Sequence, residues 1–272
     1  MVRRILRITS IINDKNSDMN NRYIPGSGVG ATSISVRRHK LIKATRTSAK
    51  PILPPSPPLE ICSSMSFNPE NGLSYLQYQN NNELDIEDKD FTIEWFQYFT
   101  GTQPFSRPFS IGSYDSGNIS IAVSYEDSLY FWFSNSPYQI INDNPPLNVW
   151  THIAIVGSGG NQITFYIDGV AQNTLPVPYF FVTEGNTPLT IGNETQPSSI
   201  ANFSGQITNF RWVIGSQVYT SDFTPPNTPL SNITGTKLLL LANDGTNISK
   251  DSSSDDRTPT NINVLCSTNT PF

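Results

Sequence analysis

The chain has 272 residues, of which 36% are hydrophobic, 14% charged and 11% aromatic, and it carries a net charge of −5. That length suits one large β domain with appendages or two small domains, and no apolar run approaches the roughly 20 residues that a membrane-spanning helix needs. The net charge hides a split: residues 1–50 hold eleven Lys and Arg against two Asp, or +9, and the six basic and twenty acidic residues that follow leave −14.

Residues 1–50 read as a basic arm, with Arg3, Arg4, Arg7, Arg22, Arg37, Arg38, Lys40, Lys43 and Arg46 as candidate contacts to a partner. The first residues are charged, but Arg7 and Asn13 interrupt any apolar stretch fit for a secretory signal. Pro25–Gly30 is flexible loop chemistry. The run Val36–Ala44 predicts a short helix capped by Ser33 or Ser35, poor on its own because Arg37, Arg38, His39, Lys40 and Lys43 crowd it. Residues 51–58, Pro-Ile-Leu-Pro-Pro-Ser-Pro-Pro, form a stiff extended linker. A folded body covering 59–272 follows.

The body reads as strand after strand. Ser74–Gln79 alternates around Tyr75, Leu76 and Tyr78. Phe91–Phe99 places Phe91, Ile93 and Trp95 on one face and Glu94, Phe96 and Tyr98 on the other. Ile119–Val123 and Leu129–Phe133 predict a hairpin across Tyr125–Ser128. Trp150–Val156 and Ile163–Ile167 flank Gly157–Gln162, which is turn chemistry, and Asp168-Gly169 supplies the next reversal. Leu189–Gly192, Gly205–Ile214 and Lys237–Ala242 complete the set. The fold class is all-β: a sandwich of two antiparallel sheets with an extended basic N-terminal arm. Cys62 and Cys266 can pair if the ends of the domain meet; the alternative is two unpaired thiols in a reducing compartment.

Several of these segments, in order, resemble one family. Ser64–Asn68 with Tyr75-Leu76 is similar to its opening strand. Asp90–Phe96 resembles its D-F-T-I-E-x-W strand with the Trp one place early. Trp150–Ala154 resembles W-x-H-v-A, and Phe165–Gly169 resembles l-Y-v-D-G. Leu189–Gly192, Phe203–Ile207 and Asn209–Trp212 complete the likeness, which covers about residues 60–245. The chain is identified as a concanavalin A-like jelly roll of the laminin G / pentraxin type. The arm and the C-terminal run around Leu238–Leu241 and Ser267–Phe272 look like the ends of such proteins in large DNA viruses and phages.

The resemblance raises three questions of chemistry. Glucanases of the superfamily use paired carboxylates on a strand, about 5 Å apart for retention. The nearest acidic run here, Glu83–Asp90, reads as a solvated loop, and Glu94 is alone on its strand, so no enzyme is expected. The resemblance implies calcium at a rim, with Asp115, Asp143 or Asp168 as oxygen donors. Turn-forming Asp is the preferred reading, and no cofactor is expected. His152 reads as a satisfied strand histidine, and His39 lies far off in the arm, which argues against a histidine metal site. Phe96, Tyr98, Tyr130 and Trp132 are candidate aromatics for a glycan face; coverage by another chain or by the arm is the alternative.

The arm has three readings: nucleic acid, a membrane surface, or threading between subunits of an assembly. Threading is preferred, because Tyr23 is its one aromatic and its apolar residues are few. The resulting expectation is a non-enzymatic virion structural protein, a minor capsid or surface component. Its arm would contact other capsid or virion proteins. A carbohydrate-binding lectin for host attachment is the alternative, and a glycoside hydrolase comes third.

Overall fold

The computed structural model describes residues 61–272 apart from 102, 114–117, 177–186 and 246. The arm, its expected helix, its nine candidate contact residues and the linker lie outside these residues. In chain order the strands are β1 (Ser64–Phe67), β2 (Tyr75–Tyr78), β3 (Phe91–Phe99), β4 (Ser106–Ser113), β5 (Asn118–Tyr125), β6 (Leu129–Phe133), β7 (Ser136–Ile141) and β8 (Trp150–Ser158). They continue with β9 (Gln162–Ile167), β10 (Val170–Leu175), β11 (Leu189–Ile191), β12 (Gly205–Ile214), β13 (Thr236–Leu240), β14 (Thr260–Ile262) and β15 (Leu265–Ser267). One turn of 3-10 helix, Pro69–Asn71, is the only helical element among the described residues. No helix there is long and apolar enough to cross a membrane.

Two antiparallel sheets result, as the period-2 patterning predicts. The first has the order β10-β9-β8-β3-β12-β1-β15, with β13 also pairing β12; the second has the order β14-β2-β11-β4-β5-β6-β7. Alternation sets the core. Phe91, Ile93, Trp95 and Phe99 of β3 join Ile153 and Ile155 of β8 and Phe210 and Trp212 of β12 in facing the second sheet. That sheet answers with Phe109, Ile111, Ile121, Val123 and Phe131. Trp95 meets Phe109 edge-on across the sheets at 5.5 Å. Burying each such side chain contributes roughly 1.5–3 kcal/mol. Gln97 shares this inner face, where its Oε1 accepts from Trp95 Nε1 at 2.8 Å and from the Tyr125 hydroxyl at 2.7 Å. Burial pushes the Tyr125 phenol far above its usual range, so it stays a donor.

Some strands break the pattern. β4 reads Ser-Arg-Pro-Phe-Ser-Ile-Gly-Ser, without clean alternation, yet it lies between β11 and β5 and is buried throughout. Pro108 cannot donate to a ladder, and the register shift between Ser106 and Phe109 takes it up as a bulge. β7, with Pro137, and the mostly exposed β10 (Val-Ala-Gln-Asn-Thr-Leu) are edge strands whose solvent exposure removes the apolar signal. The acidic run 83–90 is a turn-rich connection between β2 and β3. Glu83 pairs with Arg257 at 2.7 Å and Glu87 with Lys89 at 3.0 Å.

The ends of the described domain do meet. β1 pairs β15 with Met65 opposite Cys266, and Cys62 and Cys266 are joined by a disulfide.

Candidate ligand-binding site

The outward faces of the two sheets carry the chemistry. On the first sheet, Glu94 of β3, His152 of β8 and Arg211 of β12 come together because their strands are neighbours: Glu94 stands opposite both Ala154 and Arg211. Arg211 Nε donates to Glu94 Oε1 at 2.9 Å. Glu94 Oε2 lies 3.1 Å from His152 Nε2 and accepts from the Tyr219 hydroxyl at 2.8 Å. Burial alone would raise the Glu94 carboxyl, but the His152 hydrogen bond and the Arg211 charge outweigh it and hold it below its usual value. Burial and the Glu94 charge push the Tyr219 phenol far up, which keeps it a donor.

The chain covers this network itself. Tyr219 and Phe223 stack at 3.5 Å and stand edge-on to His152. Their segment is seated on the Asp168-Gly169 turn, where the Phe223 amide donates to the Gly169 carbonyl at 2.9 Å. Gly169 has φ +77°, and a Cβ there would stand 1.8 Å from the Phe223 carbonyl oxygen, so only glycine fits. Phe272 covers Phe96 at 5.2 Å between ring centres. Nearby, Asn269 accepts from Trp150 Nε1 at 3.2 Å, and Trp150 packs on Tyr98.

The second sheet's outward face is open at one end. A cavity of about 250 Å³ is lined by Phe105, Arg107, Glu126, Trp132, Glu194, Ile200 and Ala201. Trp132 points outward because Phe131 and Phe133 point to the core. Its Nε1 donates to Ser124 Oγ at 2.9 Å, and Ser124 Oγ donates to Glu126 Oε1 at 3.0 Å. The bulge around Pro108 aims Arg107 to the same side, with its guanidinium carbon 5.9 Å from the centre of the Trp132 ring. Arg107 Nη1 lies 3.6 Å from Glu194 Oε2, and both side chains are buried. Glu194 is placed by the turn after β11. There Asn193 Oδ1 accepts from the amides of Glu194 and Ser198 at 2.8 and 3.1 Å, and Asn193 Nδ2 donates to Asn202 Oδ1 at 2.6 Å. The amides of Phe105 and Arg107 donate to Ile200 and Ala201, which closes the rim.

The four candidate glycan-face aromatics lie on two different sheets. Phe96 and Tyr98 belong to the first sheet, Tyr130 and Trp132 to the second. Phe96 is 5% exposed, packed between His152 and Phe272, so the expected glycan contact at Phe96 is corrected: the chain's own tail occupies that place. Tyr98 is half-buried against Trp150. Tyr130 is half-buried near Asp127, and Trp132 alone of the four lines the cavity. Of the expected calcium donors, Asp115 lies outside the described residues. Asp143 is exposed, and Asp168 accepts from the His152 amide at 2.8 Å. Among the described residues no three His, Cys, Asp or Glu side chains gather as metal ligands.

Sequence reasoning missed Arg107 and Glu194. One signal was present: Arg107 is among only six Lys and Arg beyond residue 50, and it precedes a proline in a strand.

The family described as the concanavalin A-like lectin/glucanases superfamily matches residues 71–216. The chain belongs to that superfamily. A protein of Bacteroides ovatus assigned to carbohydrate binding superposes with a TM-score of 0.57 at 14% identity, covering 76% of this chain and 60% of that one. The present chain thus spans less than two thirds of that protein's length. A heptameric SAP-like pentraxin of Limulus polyphemus also matches (TM-score 0.44, 17% identity, 57% and 76% covered). So do domains LG4-5 of the mouse laminin alpha1 chain (0.40, 16%, 62% and 48%). No curated protein matched the chain. The concanavalin A-like domain is thus a lectin-type jelly roll, the fold that the sequence motifs implied.

Proposed function

We propose that the sandwich is a non-catalytic glycan-binding module and that the cavity beside Trp132 receives a sugar ring. The observation that carries this is the half-buried Trp132 on the wall of an open cavity with polar groups converging on it. An aromatic face gives a sugar's C–H surface a platform, and fixed polar groups around it read hydroxyls. The superposition on a protein assigned to carbohydrate binding supports the same reading. A hydrolase is not favoured, since Glu194 is engaged by Arg107 and Ser198 and Glu126 by Ser124. The test is a glycan array followed by calorimetry on the full chain. Trp132→Ala is expected to weaken the glycan hits about tenfold or more, the scale of an aromatic anchor taken from a pocket, with unchanged far-UV circular dichroism. Equal binding by the variant would overturn the assignment.

A second reading rests on the charge split. The +9 of residues 1–50 and the Pro-rich stretch after them fit an arm that anchors the module in a larger assembly, such as a virus particle, against other capsid proteins. A chain lacking residues 1–50 is expected to fold and bind glycans normally but to fail to enter particles. Normal incorporation would remove this reading.

A further inference from the structure

The Trp132 cavity has a neighbour. A second cavity of about 250 Å³ is lined by Phe99, Gly101, Gln103, Pro104, Tyr125, Glu126, Asn144 and Leu147. Glu126 is a wall of both, and the chain passes from one rim to the other between Pro104 and Phe105. Asn144 Nδ2 donates to the Glu126 carbonyl at 2.9 Å, tying the far wall to the shared one. Three large apolar side chains exposed in this chain stand on these rims: Phe105, Ile200 and Leu147. Each cavity is smaller than the roughly 300 Å³ at which pockets for drug-sized ligands begin. Each therefore suits one ring, and the pair suits two joined rings.

Charge narrows the class of ligand further. The described charged side chains lining the two cavities are Arg107, Glu126 and Glu194, one positive and two negative. Arg107 is buried, paired with Glu194 and set over Trp132, so its charge is already answered. No ion pair among the described residues neutralises Glu126. A ligand carboxylate or sulfate would meet that carboxylate, and among the described lining residues the one cation, Arg107, is already shared with Glu194; like charges brought together cost affinity.

Resting on the glycan reading above, we infer that the cleft takes an uncharged oligosaccharide of two or more rings lying across Glu126, and that it discriminates against acidic glycans. The experiment compares matched neutral and acidic pairs, asialo against sialylated and unsulfated against sulfated, as mono-, di- and trisaccharides. Binding of each to the full chain is measured by calorimetry at low and physiological salt. Neutral di- and trisaccharides are expected to bind about tenfold or more tightly than the monosaccharide and than their acidic counterparts, with the charge preference shrinking as salt screens it. Glu126→Gln is expected to raise the affinity for the acidic members selectively. Leu147→Ala is expected to narrow the gap between trisaccharide and monosaccharide. Equal or tighter binding of acidic glycans that still depends on Trp132 would overturn this inference and leave the glycan reading intact. An absence of binding to every glycan would overturn both.

Discussion

The two outward faces of the sandwich are built from the same kinds of side chain and come to opposite ends. Each has a buried arginine paired with a glutamate and an aromatic ring beside it: Arg211, Glu94 and Tyr219 on the first sheet, and Arg107, Glu194 and Trp132 on the second. On the first sheet the chain returns over the network, and Tyr219, Phe223 and Phe272 close it. On the second sheet Phe105, Ile200 and Ala201 line the cavity without filling it. A buried ion pair is weak evidence of stability by itself, because desolvating both charges offsets their attraction. What separates the faces is whether the protein fills its own hollow.

That contrast can be broken most severely at Glu94. Glu94→Gln keeps the shape but strands Arg211 without its countercharge, and the expected loss is about 3 kcal/mol or more in urea unfolding at pH 7. The effect depends on pH in a defined direction. Glu94 ionises below the ordinary 4.5 of a glutamate, so the unfolded chain takes up its proton first as acid is added. Its stabilisation is fully present above that pH and is lost as pH falls through the lowered folded value, so the gap between wild type and variant closes in acid. Gly169→Ala acts one layer out. The left-handed backbone and the clash with Phe223 are expected to cost about 2 kcal/mol and loosen the covering segment, seen as faster amide exchange around Tyr219. Phe272→Ala, at a half-exposed ring, is expected to cost about 1 kcal/mol. All three are expected to leave glycan affinity at the Trp132 cavity unchanged, and a change there would show that the faces are coupled.

The strands with alternating β-branched and aromatic residues, β3, β8, β9 and β12, were legible to within a residue or two, because a face buried on one side prints its period into the sequence. The face assignments followed: Ile93 and Trp95 inward, Glu94 and Phe96 outward. β4 was not legible, since a central strand with Pro108 and four polar residues owes its place to neighbours on both sides. The same strand carries Arg107, so the open site was missed for the reason its strand was missed. Outward-facing aromatics could be counted, but nothing in the period-2 pattern distinguishes Phe96, under the chain's own tail, from Trp132, beside a hollow. That difference is made by segments far off in sequence, 193–201 and 217–225 and the residues after Ser267.

The Cys62–Cys266 bond closes a loop whose two ends lie 204 residues apart in sequence, so the sandwich is covalently a ring. A protease that cuts one exposed turn inside it makes a nick and releases nothing: the fragments travel as one molecule until a thiol reagent parts them. Such a ring can lose backbone continuity at a loop and still hold both faces in register.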